Sequence, residues 1–446
     1  MISARSRLID GPVGPTLARL AAPNMLAAFV QSLMSVVEGW LIGGLGTIAL
    51  AGAALVFPLF MLTTMWSAGA IGGAVAGATA RSVGADDRLR GEAVLRAAMM
   101  IALVGAAAMA VLIVGFGSTL FMILGGDGAV LHAALAYSRP LFIGIVAVWL
   151  FNMAASVLRG SGDTMRPAVA LIVIAAVHAP LAWILIHMTG LGIAGAGLAM
   201  PVAYAVGAAL LLVRLRSGRA AVTLRRGAVP ALAVTPILRN GSLAAAQSAM
   251  TVGMSLVVTA IVGRLGVEWL AGYGIGARLE FLMIPIIFGI GGALIAMTGA
   301  NVGAGRRRRA VQVAWTGGLT AAAVVGAIGL LVAVWPGLWV GLFSNDSMTV
   351  EAATLYFRLV GPFYGFFGLG LCLYFASQGL DSLLWPVVGT ALRLVLVVVG
   401  GFGLLALDSA TPTRVFAVVA GAMAIYGLFV ALSLRLGPWR CDPVRL

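Results

Sequence analysis

The chain has 446 residues, of which 62% are hydrophobic and only 9% are charged, and its mean hydropathy is +1.09. Because a water-soluble protein of this length cannot bury so much apolar side chain, the composition excludes a soluble enzyme and indicates a polytopic helical membrane protein. The formal net charge of +14 would also suit a nucleic-acid-binding protein. The positions of the charges along the chain decide between a membrane protein and a nucleic-acid-binding protein.

All 28 basic residues are arginines, and most lie in clusters between long apolar runs, at 5–19, 81–96, 159–166, 214–239, 306–309 and 435–445. Basic residues concentrated on alternate connections mark the cytoplasmic side of helical membrane proteins. We therefore predict an inner (plasma) membrane protein with both termini in the cytoplasm. Its surroundings are the lipid bilayer, and no nucleic-acid partner is expected.

Twelve spans are predicted in chain order, with centres near residues 30, 61, 106, 144, 178, 203, 250, 283, 322, 364, 395 and 424. The second half of the chain repeats the first at an offset of about 219 residues. GGLGTIALAG at 43–52 matches GRLGVEWLAG at 263–272, and Tyr137 corresponds to Tyr356. Chance similarity between apolar helices does not produce matching loop motifs at one offset.

Each copy carries six spans, so the copies share one orientation across the membrane. The predicted fold class is all-α integral membrane, with twelve transmembrane helices in two six-helix lobes related by a parallel repeat. We assign 1–220 to the N-terminal lobe and 221–446 to the C-terminal lobe, joined by the basic loop near 214–239. Two lobes that face each other suit a transporter that works by alternating access.

The first span contains an acid, Glu38, in an otherwise apolar run. A charge at the centre of a membrane helix costs about 2.5–3.5 kcal/mol, so such a residue is a functional candidate. Asn24, Gln31 and Glu38 are seven residues apart and share one helix face, with Ser35 one turn away. In the second copy Val258 takes the place of Glu38, so the acid belongs to one lobe only.

Desolvation favours the protonated form of a buried carboxylate, so Glu38 is predicted to bind and release protons in competition with a cationic substrate. A purely structural, hydrogen-bonded acid and a side chain that reaches the nearby membrane surface are the alternatives. His178, in the fifth span beside Pro180, is either a neutral structural histidine or a second proton-coupling group that relays protons to Glu38.

Glu280 is the other acid within a span, with Tyr273 on the same face. It is either part of a polar site in the second lobe or a structural partner of a basic group such as Arg393. The full set of candidates for a substrate cavity is Asn24, Gln31, Met34, Ser35, Gln247, Thr251, Ser255, Tyr273 and Glu280.

Metal and enzymatic chemistry have little support in the sequence. Three scattered histidines and two cysteines, Cys372 and Cys441, provide neither a metal cluster nor a catalytic triad. We therefore expect no metal, no cofactor and no enzymatic activity. Asp163 and Asp381, in corresponding loops of the two copies, are predicted to be helix caps.

Several motifs are similar to those of the multidrug and toxic compound extrusion (MATE) transporters. They are QSLMSVVEGWLIGGLGTIALAG, RSVGADDR, LRGSGDTMRP, GLGIAGAGLA, IVGRLGVEWLAGYGIGARLE, NVGAGR and ASQGLDS. The resemblance implies a twelve-span antiporter, expected to act as a monomer, that exports cationic or amphipathic small molecules in exchange for protons or sodium ions.

The resemblance also bears on the coupling ion. The first-span acid of the family corresponds to Glu38, whereas Thr251, Phe367, His178 and Ala182 stand where other branches carry further acids or an asparagine. This pattern resembles the DinF-like branch and favours a proton gradient. A sodium-coupled antiporter and a lipid or polysaccharide flippase of the same superfamily are the alternatives.

Overall fold

A computed structural model of the protein describes residues 4–437 and 439, and the secondary structure of this part is helical. Eleven helical segments are long and apolar enough to cross a membrane, and Gly128–Ile143 with Ile145–Gly160, which meet at a 48° bend, bring the number to twelve when counted as one span. The predicted fold class and span number are confirmed. Cys441 and most of the C-terminal arginine cluster lie outside the described residues.

The helices of the first half are α1 Ala4–Asp10, α2 Val13–Gly43, α3 Thr47–Thr64, α4 Ile71–Gly84, α5 Arg88–Ile123, α6 Gly128–Ile143, α7 Ile145–Gly160, α8 Met165–His187 and α9 Ile193–Arg216. A π-helical turn, Met65–Ala70, joins α3 to α4 so that the two form one span. The short helix α1 was not predicted, because seven residues are too few for a clear periodic pattern.

The helices of the second half are α10 Ala231–Gly263, α11 Val267–Gly303, α12 Arg307–Val334, α13 Gly337–Val340, α14 Ser347–Val360, α15 Tyr364–Leu380, α16 Leu384–Ala406 and α17 Pro412–Leu436. A 3-10 turn, Gly361–Phe363, connects α14 to α15, which together form one span. The sequence between α9 and α10 contains no helix in the described chain.

Two separate apolar cores organise these helices. One is built mainly from side chains of α2–α9, with Ile237 of α10, and the other mainly from α10–α17, with contributions from α1, the beginning of α2 and Ala76 of α4. We call the two bodies the N-terminal lobe and the C-terminal lobe. The division at residues 220 and 221 remains a prediction.

The lobes meet through two reciprocal glycine contacts. A Cβ on Gly84 would lie 2.0 Å from the carbonyl oxygen of Ala300, and a Cβ on Gly303 would lie 2.0 Å from the carbonyl oxygen of Arg81. Gly303 follows Gly84 by 219 positions, and Ala300 follows Arg81 by the same interval. The contact is therefore related by the internal repeat, and the close backbone approach requires glycine.

Polar contacts reinforce this junction. Arg81 Nη1 donates to the carbonyl oxygens of Gln378 (3.1 Å) and Gly379 (3.0 Å), and Nη2 lies 3.6 Å from the carboxylate of Asp381. Asn240 also donates to Asp381. Arg81 of the N-terminal lobe is thus tied to the C-terminal end of α15, where Asn240 of α10 holds Asp381 from within the C-terminal lobe.

Asp381 is a helix cap, as predicted, and it lies at the C-terminal end of α15. It ends α15 with a left-handed φ of 59°, and its carboxylate faces Arg81 and Asn240. In the first copy Gly162, which precedes Asp381 by the repeat interval of 219, has the positive φ, 83°, and Asp163 accepts a hydrogen bond from the backbone N–H of Arg166 at 3.3 Å. Asp381 therefore replaces a glycine at this position of the repeat, and its side chain contacts Arg81 of the other lobe.

Helix α1 bridges the lobes at the same end of the molecule. Arg5 donates to the carbonyl oxygen of Gly84 (3.1 and 3.3 Å), while Asn301 donates to the carbonyl oxygen of Leu8 (3.0 Å). Arg306 forms a 2.5 Å hydrogen bond and ion pair with Asp10. We refer to this end, where α1 and the end of α17 lie, as the terminal end.

Candidate functional site

Glu38 lies on α2 within the N-terminal lobe and is buried, with 8% of its surface exposed. Its Oε1 accepts a 2.6 Å hydrogen bond from the hydroxyl of Tyr137, which is carried by α6. Tyr204, fully buried on α9, is close enough to interact electrostatically with the carboxylate. No ion pair to Glu38 occurs among the described residues. The acid is therefore held by a neutral donor in an apolar core.

The rest of the predicted stripe on α2 does not share one environment. Met34, one turn before Glu38, is buried in the N-terminal lobe, whereas Ser35 is exposed and Gln31 is half-buried. Asn24 lies farther toward the terminal end, where its Nδ2 faces Gly292 of α11 and has no hydrogen-bond partner. The stripe therefore runs from the lobe interface to the acid.

His178 is buried on α8, a helix that packs against α2. Its Nε2 has no hydrogen-bond partner in the described structure, and no hydrogen bond joins it to Glu38. A relay between the two residues would need an intervening water molecule or a movement of the helices. The role of His178 stays a prediction.

Four predicted residues of the C-terminal lobe line one cavity of about 90 Å³: Thr251, Ser255, Tyr273 and Glu280. Val258, the counterpart of Glu38, also lines it. Gln247 is buried one turn before Thr251, whose hydroxyl donates to the Gln247 carbonyl oxygen at 2.9 Å. The candidate residues are thus divided between two lobes and do not form a single described pocket.

Glu280 accepts a hydrogen bond from the hydroxyl of Tyr356 on α14. Arg393 of α16 lines the same cavity, but the described residues contain no direct ion pair between it and Glu280. Tyr356 is the repeat counterpart of Tyr137. The internal repeat pairs these two tyrosines in the sequence, but it does not identify them as the partners of the two acids.

A larger depression, of about 340 Å³, lies opposite the terminal end and is lined by Trp40, Leu41, Gly43, Gly44, Trp183 and His187. It contains none of the predicted site residues. In the described part of the chain, no group of three or more His, Cys, Asp or Glu side chains is arranged to hold a metal ion.

A family model for MatE matches residues 23–184 and 244–402, which is well over half of the chain. The chain belongs to the MATE family. Both matched stretches lie within the two copies of the repeat, so each lobe of this MATE protein carries the family pattern. Its relatives are transporters and not enzymes.

Among curated relatives of this MATE chain, a FAD transporter of Shewanella oneidensis is 24% identical over 84% of this chain and 83% of its own length. The probable multidrug resistance protein YoeA of Bacillus subtilis is 25% identical over 82% of this chain and 81% of its own. Both therefore align with more than four fifths of this MATE protein.

Solved MATE structures have the same fold. An outward-facing multidrug resistance MATE transporter of the MOP superfamily superposes with a TM-score of 0.87 at 22% identity, over 96% of this chain and 97% of that one. A MATE structure in a bent conformation gives a TM-score of 0.90 at 21% identity, over 98% of both chains. The two-lobe, twelve-helix arrangement is thus shared.

Proposed function

We propose that this MATE transporter is a proton-coupled antiporter of the DinF-like branch, which exports cationic or amphipathic small molecules by alternating access of its two lobes. The single observation that carries this proposal is the environment of Glu38: a buried carboxylate with one neutral hydrogen-bond donor, Tyr137, and no described basic partner. We further propose that it acts as a monomer in the inner membrane with both termini in the cytoplasm.

The environment of Glu38 is suited to an exchange between a proton and an organic cation. Burial in an apolar core makes an uncompensated carboxylate costly, so the site favours either protonation or a bound positive charge. Once a proton is bound the carboxylate is neutral and no longer attracts a cation, and a bound cation in turn stabilises the ionised carboxylate. This competition is the physical basis of exchange between an entering proton and a leaving cation.

The environment of Glu38 is less suitable for binding a sodium ion than for binding a proton. Hard cations are held by several oxygen ligands, and the hydrogen-bond partner of Glu38 is one tyrosine hydroxyl, with Met34 buried one turn away. Val258 supplies no carboxylate at the equivalent place in the other lobe. These features favour protons over sodium as the coupling ion.

The closed terminal end supports alternating access. Arg81, Gly84, Gly303 and Asp381 join the lobes there through the contacts described above. For a substrate to enter from that end, these contacts have to separate. We propose that the structure represents the state in which the cytoplasmic end is closed.

We also propose that His178 is a secondary proton-binding group, which acts while the N-terminal lobe rearranges.

The test uses purified protein in liposomes and efflux of an ethidium-type dye, driven by either a pH gradient or a sodium gradient. We expect pH-driven efflux in the native protein and its loss in Glu38→Gln, because the amide cannot bind and release a proton. Glu268→Gln is the matched control, since Glu268 is an exposed acid at the start of α11.

Two outcomes separate the parts of the proposal. Sodium-driven efflux at fixed pH would overturn proton coupling and leave the transporter intact. Robust pH-driven efflux by Glu38→Gln would remove Glu38 from the coupling step. Dye efflux that requires neither gradient would argue against an antiporter.

A further inference from the structure

The cavity of the C-terminal lobe contains a basic side chain that the fold itself does not require. Arg393 lies within α16, is buried with 9% of its surface exposed, and lines the cavity together with Glu280 and Tyr356. A buried guanidinium is costly unless it is hydrogen-bonded or paired, so the stability of this side chain depends on the groups around it.

The neighbours of Arg393 compensate its charge only in part. Its guanidinium carbon lies 5.2 Å from the ring centre of Phe367 and 5.9 Å from that of Tyr426, which are cation–π distances. Its Nε is buried without a hydrogen-bond partner in the described structure. Aromatic faces stabilise the positive charge but accept none of its strong hydrogen bonds.

Glu280 does not fill this need either. Its carboxylate accepts from Tyr356 and interacts with Arg393 through space, without a direct ion pair among the described residues. Tyr273 and Tyr364 are the other polar side chains close to the acid. The cavity thus contains an arginine whose donors are incompletely used.

Comparison of the two lobes indicates that this arginine is not needed for packing. Helices α8 and α16 both have 23 residues, and Arg393 follows Ile174 by the repeat interval of 219. Tyr426 follows Gly207 by the same interval, and Gly207 packs against the side chain of Ile174. The N-terminal lobe fills this place with an isoleucine against a glycine, so the fold tolerates an apolar pair.

We propose that this cavity is a binding site for the carboxylate of a small anionic or zwitterionic organic compound, with Arg393 as its charge partner and the aromatic walls in contact with its apolar part. The planar guanidinium is suited to a carboxylate because it offers parallel N–H donors. This inference goes beyond export of cations and does not depend on Glu38, since binding is measured without a gradient.

The experiment measures binding of labelled benzoate to the purified full-length protein in detergent by equilibrium dialysis, with benzamide and benzylamine as competitors. We expect one saturable site from which unlabelled benzoate displaces the label and the two other compounds do not. In Arg393→Gln the affinity should fall by about tenfold or more, because a charge-assisted hydrogen bond is lost. Arg278→Gln is the matched control, since Arg278 is an exposed arginine over Phe343.

Two further variants keep the test decisive if Arg393→Gln folds poorly. Arg393→Ile introduces the residue of the other lobe and should fold while losing benzoate binding. Glu280→Gln removes the neighbouring negative charge, keeps an acceptor for Tyr356, and should strengthen benzoate binding severalfold. A structural role for Arg393 does not predict these opposite effects of the two charge changes.

The proposal is overturned if the native protein shows no saturable benzoate site, if benzamide competes as well as benzoate, or if Arg393→Ile binds benzoate normally. It is also overturned if Glu280→Gln weakens binding. An anionic lipid is the other source of an acid group, so phosphatidylglycerol is added in one arm. Displacement of benzoate by equimolar lipid would reassign the site to lipid.

Discussion

Tyr137 and Tyr356 lie 219 residues apart at equivalent places of the two lobes, and each donates its hydroxyl to a carboxylate of its own lobe. The acids themselves are not equivalent. Glu38 is on the first span of its lobe, whereas Glu280 is on the second span of the other. The tyrosine donors are therefore equivalent in the repeat, whereas the carboxylate acceptors lie on different spans. Each lobe has its own polar site as a result.

Replacement of Tyr137 by Phe should reduce pH-driven dye efflux without abolishing it. The ionised form of Glu38 loses its only described hydrogen bond, and a hydrogen bond to a charged group contributes about 1.5–3 kcal/mol. Efflux rates in liposomes measure the effect. Tyr356→Phe is the matched control because it removes the equivalent hydroxyl from the other acid. Equal rates in Tyr137→Phe and the native protein would separate this hydrogen bond from transport.

Weakening the junction at Arg81 should open the terminal end. Arg81→Gln removes the charged donor to two carbonyl oxygens and to Asp381, so the closed state should lose about tenfold in relative population. Spin labels on Leu89 and Arg308, both exposed at that end, should report longer distances. Arg88→Gln, an exposed arginine nearby, should leave the distances unchanged.

If the distance distribution of Arg81→Gln is that of the native protein, the polar contacts do not hold the lobes together. The closed state would then rest on the glycine contacts alone, which are tested by separate variants.

A methyl group at the reciprocal glycines should prevent close approach of the lobes. In Gly84→Ala or Gly303→Ala the new Cβ would lie 2.0 Å from a backbone oxygen that cannot rotate away. Overpacking of this kind costs about 1–3 kcal/mol, and the expected result is a lower melting temperature and slower transport. Gly39→Ala, where nothing lies within 4 Å, is the control and should be neutral.

The two glycine variants should have similar effects, because the repeat relates the two contacts. A large effect of Gly84→Ala together with none for Gly303→Ala would mean that the junction is not symmetric in solution.

The sequence predicted the spans well because long apolar runs carry their own signal. The bend between α6 and α7 fell at the predicted centre near residue 144. The sequence did not reveal the hydrogen-bond partners of the two acids, because Tyr137 is 99 positions from Glu38 and Tyr356 is 76 positions from Glu280. Such pairs depend on helix packing across a lobe, which periodicity along one helix does not contain.

The prediction that Asp381 is a helix cap agrees with the structure, in which it is the C-cap of α15. At the repeat interval of 219, Asp381 stands at the position of Gly162, and both residues have the left-handed backbone conformation that follows the preceding helix. The short helix α1 was missed because its contacts are with distant backbone atoms, such as the Gly84 carbonyl oxygen.

The attachment of α1 should not vary with pH between 5 and 8. The hydrogen bond from Arg306 holds the pKa of Asp10 below its ordinary value of 3.8, so the stabilising contact is present above that value and is lost only as the pH falls below it. The protection factors of the α1 amides against hydrogen exchange, which correct for the intrinsic pH dependence of exchange, should be constant from pH 8 to 5 and decrease below about pH 4. Asp10→Asn should leave the pH profile of dye efflux unchanged. A changed profile would show that α1 contributes to the pH response.

His178 should affect the rate of transport less than Glu38 does. Its Nε2 has no partner in the described structure, and a charged imidazole in that apolar place would be costly without one. We therefore expect His178→Gln to slow pH-driven efflux without abolishing it, whereas Glu38→Gln abolishes it. The control is His187→Gln, which changes an exposed histidine at the end of the same helix.

If His178→Gln is as inactive as Glu38→Gln and still folds, the histidine is an obligatory proton carrier, and α2 and α8 have to move during the cycle to connect the two groups. If it transports at the native rate, His178 is a structural residue and Glu38 exchanges its proton by another route.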